Sequence, residues 1–176
     1  ATLTATANEG YTFENWTENG QVVSSNATYT FEVESDRALV ANFEVEAYEV
    51  TASVNPSNAG TVTGAGTYNY GETATLTATA NEGYTFENWT EDGEEVSADA
   101  TYTFEVVSDV ALVANFVINE YEVSVEITPA NAGTVTGAGV YQHGETVTME
   151  AVANDGYKFV GWNLAGVVVS EESTYT

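Results

Sequence analysis

Apolar and polar residues alternate one by one along much of the chain. Between residues 2 and 7, Leu3, Ala5 and Ala7 alternate with threonines. The same alternation recurs at residues 28–33, 39–43 and 48–54. Because successive side chains of a β-strand point to opposite faces, this pattern predicts half-buried strands. No stretch shows the 3.6-residue period of an amphipathic helix.

Short turn signals separate these predicted strands. Asn19-Gly20 and Asp92-Gly93 are dipeptides that reach positive φ at little cost, so they predict tight hairpins after the tryptophan-containing strands. Residues 56–60, which begin with Pro56 and end with Gly60, predict a longer turn. The chain is therefore predicted to be all-β and mainly antiparallel.

An internal repeat organises the sequence. Trp16, Trp89 and Trp162 are each 73 residues apart. We define the first copy as residues 1–46, the C-terminal part of a unit, and the second copy as residues 47–119, a complete unit. The third copy, residues 120–176, lacks the strand that matches Phe104–Phe116. We expect either a fragment of a longer array or a protomer whose ends a neighbour completes.

The junctions between copies are short. Glu44–Ala47 and Val117–Glu120 contain no glycine or proline, and the apolar alternation runs almost through them. A unit of about 70 residues without disulfides is marginally stable alone, so adjacent copies are expected to support one another. We therefore predict tandem β modules arranged as an extended, semi-rigid rod.

Composition narrows the classes of partner. The chain has 27 acidic and 2 basic residues, a formal net charge of −25, and no cysteine. Nucleic acids and anionic membrane surfaces attract clustered lysine and arginine, so neither is expected as a partner. The longest apolar runs, such as 110–114, are too short to insert into a membrane as a helix. The 43% hydrophobic content nevertheless predicts a folded chain.

Two motifs of the second copy resemble a known repeat family. Residues 83–89 read G-Y-T-F-E-N-W, and residues 112–116 read L-V-A-N-F. Together they resemble the divergent internalin-type B-repeat of the Listeria-Bacteroides repeat group, and the third copy repeats the first motif at 156–162. The resemblance implies small β-grasp-like or sandwich-like modules, strung in tandem on bacterial or archaeal surface and secreted proteins. It implies no particular ligand or cofactor.

Aromatic residues are the main candidates for the core and for a ligand site. We expect the repeated aromatic positions to anchor each small core, since large aromatic side chains dominate burial; they are Tyr11, Phe13, Trp16, Phe43, Tyr84, Phe86, Trp89, Phe116, Tyr157, Phe159 and Trp162. Tyr68, Tyr70 and Tyr141 are expected to be more exposed. They are weaker candidates for contacting a glycan, and position 70 becomes His143 in the next copy.

An acidic cluster is the only candidate metal site. Glu91, Asp92, Glu94 and Glu95 could supply oxygen ligands to Ca²⁺, but they lack the spacing of a dedicated calcium loop. A solvated hairpin tip is the favoured interpretation, and no cofactor is expected.

These observations favour a structural role over catalysis. Near-identical small copies and a single histidine offer no asymmetric catalytic pocket, so we expect no enzyme. The leading interpretation is a stalk, spacer or filament body of a surface or extracellular protein, with the secretion signal and anchor outside this segment. The alternatives are a multivalent adhesion module that binds glycan or protein and an accessory domain of a secreted enzyme. Neighbouring copies are the expected partners, with a homo-oligomer or filament through the incomplete terminal copies as a further possibility.

Overall fold

The computed structural model describes all of residues 1–176 and contains twenty β-strands and no helix. The first copy forms β1 (Thr2–Thr4), β2 (Tyr11–Glu18), β3 (Gln21–Ser24), β4 (Thr28–Thr30) and β5 (Leu39–Val45). The second copy forms β6 (Ala47–Asn55), β7 (Gly60–Thr63), β8 (Gly66–Asn69), β9 (Thr73–Ala80), β10 (Tyr84–Glu91), β11 (Glu94–Ser97), β12 (Thr101–Glu105) and β13 (Val110–Ile118). The third copy forms β14 (Glu120–Val123), β15 (Gly133–Thr136), β16 (Gly139–Gln142), β17 (Met149–Ala153), β18 (Trp162–Leu164), β19 (Val167–Ser170) and β20 (Thr174–Tyr175).

The second copy has a five-stranded sheet in the order β11-β10-β13-β6-β8. Its first and last strands, β6 and β13, pair in parallel near the centre, with Val50 opposite Val110 and Asn55 opposite Asn115. Parallel strands cannot be joined by a hairpin, so the rest of the copy forms the crossover between them.

A second, three-stranded sheet of the same copy, β12-β9-β7, supplies the opposite side of the core. Along β9, Ala74, Leu76 and Ala78 are buried, whereas Thr75 is exposed and its hydroxyl is 3.0 Å from that of Thr103 on β12. The same alternation was predicted for residues 2–7, which match residues 75–80 one repeat later. The two sheets together bury Val50, Leu112, Ala114 and Phe116 on β6 and β13.

Each tryptophan occupies the same environment in its own copy. Trp89 is fully buried, and Trp16 and Trp162 are 8% and 7% exposed. Each indole N–H donates to a backbone carbonyl about ten residues later, at Ala27 (3.2 Å), Ala100 (3.4 Å) and Glu172 (3.1 Å). A buried indole needs such an acceptor, and the turn after the hairpin supplies it.

Three of the expected core aromatics are partly exposed. Tyr11, Phe43 and Tyr157 are 45%, 39% and 42% exposed. For Phe43 the cause lies in its neighbours: the matching Phe116 packs against Gly60 of β7, and the first copy of this chain contains no counterpart of β6 to β8. The expected burial therefore fails at these three positions, and at Phe43 the strands that cover the matching Phe116 are absent from the first copy.

The chain divides into two compact units. The first comprises Ala1–Ala80 with Phe86–Phe116, and the second comprises Asn81–Thr85 with Val117–Thr176. In the first unit, β3-β2-β5 forms a sheet beside the pair β1-β4, in addition to the two sheets of the second copy. In the second unit the sheets are smaller: β14-β16, β15-β17-β20 and β18-β19.

The prediction of an all-β, mainly antiparallel chain of tandem repeat modules is confirmed. The parallel pair of β6 and β13 is an addition that sequence alone did not supply. Nowhere does the chain form a helix with the length and apolar character needed to cross a bilayer. The extended-rod arrangement stays a prediction.

Candidate functional site

The residues that join consecutive copies form the same backbone hydrogen bonds at both junctions. β5 ends at Val45 and β6 begins at Ala47, so Glu46 alone links the first copy to the second. The backbone N–H of Glu46 donates to the carbonyl of Gly10 at 2.8 Å, and the carbonyl of Glu46 accepts from the N–H of Tyr70 at 2.8 Å. Both backbone groups of the linking residue are therefore used, one toward each copy.

An aromatic ring lies directly on a glycine at this junction. Gly10 has a φ of +75°, and a Cβ built on it would lie 2.0 Å from ring carbons of Tyr70. Contacts that short do not occur, so the Tyr70 ring occupies the space that any side chain at position 10 would need. Glycine is required at this position both by its backbone conformation and by the ring that covers it. We call Gly10, Glu46 and Tyr70 the first clasp.

Two ionisable side chains reinforce the first clasp. The Tyr48 hydroxyl donates to a Glu46 carboxylate oxygen at 2.7 Å, and the rings of Tyr48 and Tyr70 are 6.5 Å apart. The hydrogen bond to Glu46 is the main reason that the pKa of Tyr48 is raised above its usual value. Removal from water, with a smaller contribution from the negative charge of Glu9, raises the pKa of Tyr70. The raised pKa values extend the pH range in which both hydroxyls stay neutral.

The second unit contains the same arrangement 73 residues later. The N–H of Asn119 donates to the carbonyl of Gly83, and the N–H of His143 donates to the carbonyl of Asn119, both at 2.8 Å. A Cβ on Gly83 would lie 2.0 Å from the His143 ring. We call Gly83, Asn119 and His143 the second clasp. Its ring is an imidazole rather than a phenol, and the centre of that ring lies 6.1 Å from the ring centre of Tyr121.

The structure places the three candidate ligand tyrosines in supporting positions. Tyr70 belongs to the first clasp. The Tyr68 hydroxyl donates to the Gly64 carbonyl at 2.6 Å, and the Tyr141 hydroxyl donates to the Gly137 carbonyl at 2.8 Å. All three rings are half-buried. Tyr68 and Tyr141 each tie together their own hairpin, and the three do not form a common exposed platform.

The candidate calcium ligands lie at the tip of the hairpin that joins β10 to β11. Glu91 pairs with Glu94 across the turn, Asp92 has a φ of +49°, and Glu95 accepts a hydrogen bond from the Asn88 side chain at 2.8 Å. The four carboxylates do not converge into a group that could hold an ion. Asp92, Glu94 and Glu95 are exposed at this tip.

The clasps were not anticipated from sequence, although two signals pointed to them. Glycine recurs at positions 10 and 83, and position 70 changes from tyrosine to histidine while keeping a planar ring. A change from tyrosine to histidine is more natural on a surface or at a turn than in a packed interior, and both Tyr70 and His143 lie in turns. The structure adds that each ring packs against a glycine backbone of the preceding copy.

A comparison with protein families matches the whole chain. The model described as "Divergent InlB B-repeat domain" matches residues 1–47, 50–120 and 123–176. A protein of Evansella cellulosilytica, whose name calls it a membrane protein, is 26% identical over 159 residues, which cover 88% of this chain and 24% of that protein. This chain therefore spans about a quarter of the length of that relative. No solved structure gives a significant match.

Proposed function

Because the chain belongs to the divergent InlB B-repeat family, we propose that it is a spacer segment of a bacterial or archaeal cell-surface or extracellular protein, in which tandem copies set distance and stiffness. The observation that carries the proposal is the first clasp. A spacer keeps its length only if the chain between modules cannot bend freely. Here that chain is one residue, and both of its backbone polar groups are hydrogen bonded.

The clasp resists bending for a physical reason. A flexible linker gains entropy from many backbone conformations, whereas the backbone of Glu46 is hydrogen bonded on both sides and has a strand immediately before and after it. The ring of Tyr70 on Gly10 adds a contact that hinge motion would break. Repeats that contact only their sequence neighbours form quasi-one-dimensional objects whose length scales with copy number.

The surface location in this proposal rests on two supports. Members of the family occur in tandem on surface and secreted proteins. The relative from Evansella cellulosilytica is a longer protein whose name describes it as a membrane protein. A net charge of −25 is also compatible with an exposed chain that must remain extended and separate from its neighbours. The proposed role is mechanical and needs no catalytic residue or cofactor.

Distance measurements across the first junction test the proposal. The chain contains no cysteine, so Gln21→Cys and Thr67→Cys place spin labels at two exposed positions, one in each copy, without background labelling. We expect a narrow distance distribution by double electron–electron resonance. A broad distribution in the otherwise unaltered chain would show a flexible junction and overturn the spacer role.

A matched pair of glycine variants sharpens this test. In the labelled chain, Gly10→Ala places a methyl group in the space that the Tyr70 ring occupies, so it should broaden the distance distribution. Gly20 has nearly the same φ as Gly10, +78° against +75°, but no atom lies within 4 Å of the Cβ that Gly20→Ala would add. The distribution should remain narrow in Gly20→Ala.

A further inference from the structure

Three positions of the chain match the sequence pattern of an acceptor for an N-linked glycan. The pattern is asparagine, then any residue except proline, then serine or threonine. Asn15, Asn26 and Asn88 each have a threonine two residues later, whereas Pro56 excludes Asn55. A glycan needs a side-chain amide that an enzyme can reach and that the fold does not already use. The surroundings of the three amides therefore decide which of them can carry a glycan.

The amide of Asn15 is used by the fold. Its side-chain oxygen accepts a hydrogen bond from the amide of Asn42 on β5 at 2.8 Å, and the hydroxyl of Thr17 accepts from the same amide at 3.0 Å. Asn15 is half-buried on β2, directly before the buried Trp16. The amide of Asn15 therefore belongs to the contact between two paired strands and is not available to an enzyme in the folded chain.

Asn88 has the same surroundings in the second copy. The amide of Asn115 donates to the side-chain oxygen of Asn88 at 2.9 Å and to the hydroxyl of Thr90 at 3.1 Å. In addition, the amide nitrogen of Asn88 donates to a carboxylate oxygen of Glu95 at 2.8 Å. This nitrogen is the atom to which a sugar would be attached. Both matches on the tryptophan strands are thus engaged in the fold.

Asn26 differs from the other two matches in its exposure. It lies in the bend of residues 25–27 between β3 and β4, and both Asn26 and Thr28 are exposed. The backbone N–H of Asn26 donates to the Ser24 hydroxyl at 3.1 Å, but the side-chain amide of Asn26 forms no hydrogen bond to another residue. The two side chains that the pattern requires are therefore accessible together at the surface.

The bend keeps its shape without using the Asn26 side chain. The carbonyl of Ala27 accepts from the indole N–H of Trp16 at 3.2 Å and from the backbone N–H of Ala5 at 3.0 Å. The buried Trp16 thus fixes the backbone of the bend from the side of the core. Because these contacts involve only backbone groups of the bend, a sugar on the Asn26 side chain leaves them intact.

The other two copies have the same bend without the amide. Asp99 and Glu172 occupy the position of Asn26 one and two repeats later. The backbone N–H of each donates to a serine hydroxyl, at 3.1 Å and 3.2 Å, as the N–H of Asn26 does. The three bends therefore share their local geometry and differ in the group that they expose. Only the first copy exposes an amide, and a carboxylate cannot replace it as an acceptor.

We propose that Asn26 is an acceptor for N-linked glycosylation, with an oligosaccharide carried on a lipid diphosphate as the donor. The amide nitrogen of Asn26 forms a bond to the anomeric carbon of the first sugar, and the bond from that carbon to the diphosphate oxygen breaks. The amide loses one proton to a base of the transferase, and the lipid diphosphate leaves. The use of this site in the cell rests on the surface location proposed above, because such transfer takes place on the outer side of a membrane.

Enzymatic transfer to the purified, folded chain tests the proposal. The chain is incubated with a single-subunit oligosaccharyltransferase that recognises asparagine-x-threonine and with its lipid-linked oligosaccharide, and glycans are located by peptide mass spectrometry. We expect a glycan on Asn26 and none on Asn15 or Asn88. Synthetic peptides of residues 11–20, 22–32 and 84–93 are the controls, and all three should be modified because no fold protects them. An unmodified Asn26 in a chain whose peptide 22–32 is modified would overturn the proposal, and so would equal modification of Asn15 or Asn88.

Two substitutions separate the role of the pattern from that of the bend. Thr28→Val removes the hydroxyl that the pattern requires but keeps a branched side chain, so it should abolish transfer to Asn26. Asp99→Asn creates the sequence Asn-Ala-Thr in the matching bend of the second copy, since Ala100 and Thr101 follow. It should add a second glycan of the same mass. Transfer that persists in Thr28→Val, or no glycan at position 99 in Asp99→Asn, would contradict the proposal.

These outcomes are independent of the spacer role. Transfer to the purified chain requires no cell surface, and the label distances across the first junction require no glycan. Failed transfer with a narrow distance distribution would overturn the glycan site alone. Transfer to Asn26 with a broad distance distribution would overturn the spacer role alone.

Discussion

At the residue scale, the two clasps give glycine a role that backbone conformation alone does not explain. Gly10→Ala and Gly20→Ala both place a Cβ at positive φ, which costs about 1 kcal/mol. Only Gly10→Ala also forces apart a packed ring, and overpacking of that kind costs about 1 to 3 kcal/mol more. We expect chemical denaturation followed by circular dichroism to show the larger loss in Gly10→Ala. Equal losses would mean that the Tyr70 ring moves away freely.

The clasp tyrosines predict a loss of stability in alkali. The pKa values of Tyr48 and Tyr70 are raised in the folded chain. A group with a raised folded pKa contributes stability that is complete below its unfolded pKa, about 10 for tyrosine. That contribution is lost as the pH rises through the folded value. The melting temperature should therefore fall above about pH 10.

Two substitutions identify the source of this alkaline loss. Tyr70→Phe keeps the ring on Gly10 but removes the ionisable hydroxyl, so its decline above pH 10 should be shallower. Glu46→Gln removes the carboxylate that is the main cause of the raised pKa of Tyr48. If both variants decline as steeply as the unaltered chain, other tyrosines cause the loss.

At the scale of the element, the same sequence has different surroundings in consecutive copies. Residues 39–43 and 112–116 both read L-V-A-N-F, but β13 has a strand on each side whereas β5 pairs only with β2. Leu112 is 2% exposed, and Leu39 is half-buried. Leu112→Ala should cost about 2 to 5 kcal/mol, as in other packed cores. Leu39→Ala should cost less than half as much.

Hydrogen exchange shows which strands each of the two substitutions destabilises. Leu112→Ala should speed exchange across β6 and β13, and Leu39→Ala should speed it only in the sheet that contains β2 and β5. A loss of similar size at both sites would contradict the idea that the parallel pair completes the core.

The elements also show how much of the fold could be predicted from the sequence. Alternation located β1, β4, β5 and β6 because burial on one face leaves a period of two. Asn-Gly and Asp-Gly located the hairpins because few dipeptides tolerate positive φ. Neither signal identifies which strands pair with one another in a sheet. The parallel pair of β6 and β13 joins residues about sixty positions apart, and the contact of Tyr70 with Gly10 also spans sixty. Such pairings depend on packing in three dimensions, which a local pattern does not encode.

At the scale of the whole molecule, the net negative charge affects the stability of the fold as well as the choice of partner. Twenty-seven carboxylates are opposed by two basic side chains, and Arg37 is already paired with Glu18 at 2.6 Å. Most carboxylates therefore have no cation nearby, and they repel one another in the folded state more than in an expanded one. Folding must overcome this repulsion, so weakening it should stabilise the chain.

Added salt should raise the melting temperature of the chain. The screening length falls from about 10 Å in 0.1 M salt to about 3 Å in 1 M, so repulsion between carboxylates on adjacent strands weakens over that range. No group of carboxylates converges enough to bind an ion, so Ca²⁺ should act mainly through ionic strength. We expect NaCl and CaCl₂ at equal ionic strength to give similar increases in scanning calorimetry. A much larger increase with CaCl₂ would reveal a calcium site. The Arg37→Gln variant has a higher net negative charge, so its melting temperature should rise more steeply with NaCl than that of the unaltered chain.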